Sequence, residues 1–199
     1  MSQQQCRKCN KETLQKGYLY ECLSSKCGVI FWDELSIRER LEKYELKTKE
    51  EWRRELKALA VEAEIPEVGK NKFHTYILGL KGDKKARARD LGGEKVYIGY
   101  TSLHPYRRYL NHIAGHKSNN EAYRNAFCIE EIGGPFGSAK RAKQREKNSS
   151  NARHELGWEV YSDELDKTYK KERNLSGDHF KKIENNKDKR IKNYFLSDD

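Results

Sequence analysis

The run Val96-Tyr97-Ile98-Gly99-Tyr100-Thr101, followed by Pro105 and Arg107-Arg108-Tyr109-Leu110-Asn111-His112, constrains this chain more than any other stretch. β-branched and aromatic residues favour a strand, which ends in a glycine, and Pro105 suits the first turn of a following helix. Upstream, Lys72 to Leu80 reads as a second strand carrying Thr75-Tyr76-Ile77-Leu78, with Lys95 to Tyr100 as its partner. Between them, Lys81 to Gly93 reads as a basic loop. The sequence therefore predicts two tyrosine-bearing strands leading into a helix that carries arginine and histidine.

On a helical wheel of about 100° per residue, Tyr106, Tyr109, Leu110 and Ile113 form one apolar stripe. Arg108 and His112 fall together on one flank, and Arg107 with Asn111 on the other. Arg108 and His112 can thus act on one small region. An arginine there can clamp a phosphate and offset transition-state charge, and a histidine can orient or deprotonate a neighbour. A surface arginine beside a solvated histidine is the plainer alternative.

Further along, Phe127 to Ile132 is a third strand, expected to end at Gly133-Gly134-Pro135. Ser138 is placed to cap a helix that Gly157 ends, and Trp158 to Tyr161 forms a short last strand. On that helix Ala139, Ala142 and Glu146 share a face, while Lys140, Arg141, Lys143, Arg145 and Lys147 occupy the others. A lone carboxylate on the small-residue face of a basic helix suits a hard cation such as Mg²⁺. It equally suits an ion pair one turn away.

Near the N-terminus, Cys6, Cys9, Cys22 and Cys27 follow the spacing C-x2-C-x12-C-x4-C. Two thiolate knuckles joined by a hairpin, with Tyr18-Leu19-Tyr20 as one strand, suit tetrahedral Zn²⁺. Gly28 permits a turn close to a metal-bound sulfur. Disulfides or free thiols are the alternatives, and an intracellular setting argues against disulfides. Cys128 falls in a predicted strand and reads as a small core residue. Residues 33–65 read as helical, with Ser36/Glu39 and Thr48/Glu51 as capping boxes and Trp52, Leu56, Leu59 and Ala63 at helical spacing.

Charge sharpens the functional reading. The net charge is +10, yet residues 66–161 alone hold 18 basic against 10 acidic side chains. The excess lies on the tyrosine-strand segment, which points to a polyanionic partner rather than to general solubility. Arg87, Arg89, Arg107, Lys140, Arg141 and Lys143 are the expected nucleic-acid contacts. No apolar run approaches the roughly 20 residues of a membrane span, and Met1 to Cys6 opens no signal peptide. An intracellular, non-secreted protein with no membrane partner is expected.

The tyrosine strands and arginine helix resemble the GIY-YIG nuclease family over about residues 72–161. Thr75-Tyr76-Ile77 stands at the first tyrosine motif and Tyr97-Ile98-Gly99 at the second. Arg107 to His112 resembles the arginine helix, with Arg108 the better match, and Ala142 to Glu146 resembles the metal-binding helix. The chain departs from the pattern in the long gap from Tyr76 to Tyr97 and in Tyr100, where a lysine is usual. Asn148 and Asn151 are the candidates for the family's asparagine.

The resemblance implies an α+β fold with a small three-stranded antiparallel sheet flanked by helices, and one Mg²⁺ or Mn²⁺ held by Glu146. It further implies a DNA-hydrolysing endonuclease in which Tyr76 and Tyr97 flank the attacking water, His112 orients the tyrosine and Arg108 binds the phosphate. The expected organisation is a zinc-ribbon-like module at 1–34, a helical linker at 35–66, the nuclease-like domain at 67–161 and a charged tail at 162–199. The expected partner is double-stranded or branched DNA. A non-catalytic nucleic-acid-binding protein of the same fold, or an RNA-directed nuclease or binding factor, is the alternative. The sequence does not give an oligomeric state.

Overall fold

A computed structural model describes residues 4–44, 48–81, 95–116 and 118–165. Among them the chain forms β1 (Thr13–Lys16), β2 (Leu19–Cys22), β3 (Ile30–Trp32), α1 (Glu34–Lys43) and α2 (Lys49–Glu62). There follow β4 (Phe73–Leu80), β5 (Lys95–Thr101), α3 (Pro105–Ile113), α4 (Asn120–Asn125), β6 (Ala126–Phe136), α5 (Ala139–Glu155) and β7 (Glu159–Tyr161). The fold is α+β. Arg87, Arg89 and the loop that carries them lie outside the described residues, as do residues 166–199 of the expected tail.

The expected three-stranded sheet is corrected to a seven-stranded mixed sheet in the order β1-β2-β3-β6-β4-β5-β7. All neighbours are antiparallel except β5 and β7, which run parallel. The physical reason is edge protection. A strand left at an edge presents unpaired backbone groups. Here β3 of the cysteine hairpin covers β6 through Ile30 opposite Ile129, and β7 covers β5 with Tyr161 opposite Tyr97.

Two local expectations are also corrected. Strand β6 continues through Gly133-Gly134-Pro135 to Phe136, pairing Gly133 with Thr75 and Phe136 with Phe73. Glycine suits position 133 because a Cβ there would stand 2.5 Å from Thr75 Oγ1. Ser36 does not cap α1: Asp33 does, its side chain accepting from the Ser36 amide at 3.3 Å. The expected box at α2 is present, with Thr48 and Glu51 exchanging side-chain-to-backbone bonds of 3.1 and 2.8 Å. Pro105 starts α3 and Ser138 caps α5.

Strand alternation sends neighbouring residues into different parts of the core, which has three clusters among the described residues. Tyr76, Leu78, Leu80 and Tyr97 pack with Leu19, Trp32, Ile37, Leu41, Leu56, Leu59, Tyr109, Leu110 and Ile113. Ile77, Val96 and Ile98 pack instead with Val160 and Leu165. Helix α5 rests on β5, β4 and β7. The first cluster draws on the cysteine hairpin, α1, α2 and the tyrosine strands together. Among the described residues no helix is long and apolar enough to cross a membrane.

Trp32 ties these parts to one another. It is fully buried, and its Nε1 donates to the Tyr106 carbonyl at 3.1 Å, joining the hairpin to the first turn of α3. We predict that Trp32→Ala costs about 3–5 kcal/mol of unfolding free energy, the usual range for truncating a buried aromatic. Denaturant melts followed by far-ultraviolet circular dichroism and by tyrosine fluorescence should shift together. A variant in which the two transitions separate would contradict this coupling.

Candidate active site

Strands β4 and β5 set the site's geometry. Their register places Tyr76 opposite Gly99 and Leu78 opposite Tyr97, so both tyrosines rise from one face. A Cβ on Gly99 would lie 2.6 Å from Tyr76 Oη and 3.1 Å from the Tyr97 ring. Glycine is therefore what lets the Tyr76 ring lie flat across β5. The two rings are 6.1 Å apart between centroids.

Helix α3 brings Arg108 and His112 to the same atom. His112 Nε2 is 2.8 Å from Tyr76 Oη, and Arg108 Nε donates to that oxygen at 3.3 Å. On its other side, His112 Nδ1 is 2.9 Å from Ser118 Oγ. Ser118 spends its hydroxyl proton on the Asn119 carbonyl at 2.9 Å, so it accepts from His112. The imidazole thus carries its proton on Nδ1, and Tyr76 donates to Nε2. Burial, then the Arg108 cation, push His112 down to about 3, so it is neutral at physiological pH. Burial pushes Tyr76 up to about 12 against the opposing pull of Arg108, and burial raises Tyr97 further still.

Helix α5 contributes Glu146. Its inward face carries Ala142, Glu146, Ser150 and His154. Glu146 is 2% exposed, and it is the single acidic side chain in the buried set of the described residues. Ser162 Oγ donates to its Oε1 at 2.7 Å. Burial raises Glu146 to about 7; the Ser162 hydrogen bond and the Glu164 backbone amide oppose the rise, while the charges of Glu164 and Asp163 add to it. An open cleft of about 360 Å³ joins these groups, lined by Tyr97, Gly99, Tyr100, Arg108, Glu146 and Asp163 among others.

Tyr76, Tyr97, Arg108, His112 and Glu146 are therefore brought together. Tyr97, Arg108 and Glu146 face the cleft, whereas Tyr76 and His112 stand behind them at 1% and 0% exposure. Arg107 does not line it. Lys140, Arg141 and Lys143 are exposed on α5, and Lys143 Nζ sits 5.5 Å from the ring centroid of Tyr100, at the cleft wall. Sequence reasoning missed Ser118, Ser162 and Asp163. Ser118 lies in a loop after α3 with no periodicity to mark it. Ser162 and Asp163 open a stretch whose charge made it look like tail, although they directly follow a strand.

The four cysteines form a second centre. Their sulfur atoms all lie within 4.8 Å of one another, with Cys6 to Cys27 at 3.7 Å and Cys9 to Cys22 at 3.4 Å. Four thiolates at about 2.3 Å from one zinc stand roughly 3.8 Å apart, and a disulfide would need about 2.05 Å. The cluster can hold one metal ion such as zinc. Cys128 is buried beside this cluster and is a small core residue there.

Compared with known protein families, with curated proteins and with solved structures, the chain matches none.

The raised carboxyl carries a stability prediction with a definite sign. Glu146 moves from an ordinary 4.5 to about 7 on folding, so the folded state favours its neutral form. Relative to a neutral isostere, the wild type loses stability as pH rises from about 4.5 to 7 and stays lower above that. Without added divalent cation, Glu146→Gln should be the more stable protein at pH 8, by on the order of 3 kcal/mol, and about equal at pH 4. Urea melts at the two pH values check this. A Gln variant that is less stable at pH 8 would contradict the burial cost.

Proposed function

We propose that this chain is a metal-dependent endonuclease of the GIY-YIG type that hydrolyses phosphodiester bonds in DNA. The observation that carries the reading is convergence. Tyr97, Arg108 and Glu146 line one cleft, Tyr76 and His112 are bonded to one another and to Arg108 directly behind it, and these are the five that the tyrosine, arginine and glutamate motifs select.

The donor set fits a hard divalent cation. Glu146 is a buried carboxylate at the wall of a polar cleft, and a buried anion is costly without a positive partner. Bound there, Mg²⁺ or Mn²⁺ supplies positive charge against the phosphate oxygens. Arg108 lines the cleft and spends Nε on Tyr76, which leaves its terminal N–H groups to clamp the phosphate. Tyr97 is the tyrosine that lines the cleft. Tyr76, out of solvent's reach, locks the Arg108 guanidinium through its oxygen and is itself locked by neutral His112. The histidine here is an oriented acceptor, not a cation. The surface charge of α5, with Lys140, Arg141 and Lys143, supports long-range attraction to DNA.

The reading is tested by cleavage of plasmid and branched DNA with and without Mg²⁺ or Mn²⁺, beside duplex RNA as a control. Glu146→Ala should lose cleavage by orders of magnitude yet still bind DNA. Arg108→Ala should lose about 10²–10³ in rate, as is usual for a donor to developing charge. Arg107→Ala, on the other flank of α3, should cost far less. DNA binding should weaken steeply with salt, and Lys140, Arg141 and Lys143 neutralised together should flatten that slope. Wild-type cleavage by Glu146→Ala, or an Arg107 variant more impaired than the Arg108 one, sinks the proposal.

A further inference from the structure

The turn that leaves β7 reaches back into the cleft. Ser162 Oγ accepts the Glu164 amide at 3.1 Å and donates to Glu146 Oε1 at 2.7 Å. A hydroxyl has one proton. With the amide proton arriving from Glu164, the Ser162 proton is committed to the carboxylate. Both partners are nearly solvent-free, Ser162 at 7% and Glu146 at 2% exposure.

The turn itself is held at both ends. On its N-terminal side, Tyr161 pairs with Tyr97 across β7 and β5. On its C-terminal side, Leu165 is 3% exposed among Ile77, Val96, Ile98 and Val160. Glu164 also pairs with Lys143 of α5 at 3.5 Å. Ser162 is thus fixed relative to the sheet, whereas Glu146 is a long side chain with several rotamers to lose.

We propose that Ser162 is the positioning residue for the cation-binding carboxylate of this cleft. It holds Oε1 and so restricts the rotamers in which the carboxylate would meet the cation. This rests on the reading of Glu146 as a ligand of a divalent cation. The start of the apparent tail is then part of the active site, and the site closes only once the chain has passed β7.

The test reads cation binding directly. Mn²⁺ affinity is measured by electron paramagnetic resonance on the full-length, zinc-loaded chain, with DNA absent. Ser162→Ala should weaken Mn²⁺ binding by about 10–100-fold, the usual effect of removing a hydrogen bond to a metal ligand. Ser162→Thr keeps the hydroxyl and should restore most of it. Ser162→Thr should melt near wild type, whereas Ser162→Ala, which removes a hydrogen bond from a buried carboxylate, should melt somewhat lower while staying folded at the temperature of the binding measurement. Wild-type Mn²⁺ affinity in Ser162→Ala, with affinity lost in Glu146→Gln, overturns the positioning role and leaves the functional reading standing. Wild-type affinity in Glu146→Gln overturns the functional reading itself. A loss in Ser162→Ala that Ser162→Thr leaves unrepaired, or unfolding of Ser162→Ala at the temperature of the binding measurement, shows a structural role and overturns the proposal.

Discussion

A tyrosine that lies across its neighbouring strand needs empty space there, and Gly99 opposite Tyr76 provides it. That one cross-strand pairing decides where Tyr76 Oη sits. The position of that oxygen decides where His112 and Arg108 can bond, and those bonds orient α3 against the sheet. Any side chain at 99 would displace the oxygen before it touched anything else. The site is therefore built outward from a missing Cβ, and the shape of the cleft follows from it.

The surroundings of that oxygen are costly. Tyr76, His112 and Glu146 are polar groups with almost no solvent, and each is shifted toward its neutral form. Hydrogen bonds with Arg108, Ser118 and Ser162 offset part of the cost. The rest is carried by the apolar cluster that runs from the cysteine hairpin through α1 and α2 to α3. This is a reason for the sheet to be large. Three strands and two helices offer little core to support so much buried polarity, and the hairpin and α2 add Leu19, Trp32, Leu56 and Leu59.

Much of this was legible in local pattern. The tyrosine strands, the Pro105 start of α3, its Arg108/His112 flank and the inward face of α5 each follow from spacing within one element. The sulfur cluster followed from cysteine spacing. What was illegible depends on partners far apart in sequence. Nothing near Ile30 announces Ile129, and nothing near Tyr161 announces Tyr97. Strand β6 was misread because Gly-Gly-Pro is a turn signal in isolation. Beside Thr75, which leaves no room for a Cβ, the same glycines continue the strand. Ser162 was hidden in the same way, by the charged composition that follows it.

Charge is layered around the cleft, and the order of the layers bears on the proposed chemistry. Exposed lysines and an arginine of α5 stand outside, while Glu146 and Asp163 line the cleft and Glu164 pairs with Lys143 at its side. On the proposed reading, a phosphodiester drawn in by the outer cations would meet carboxylates next, and these would repel it. Arg108 alone faces two acidic side chains in that lining. On the proposed reading, a divalent cation is what reverses the sign at this inner layer, so DNA binding and cleavage separate physically. On that reading the outer layer would suffice to hold DNA, and the inner one would admit the scissile phosphate only with the carboxylate of Glu146 both ionised and occupied.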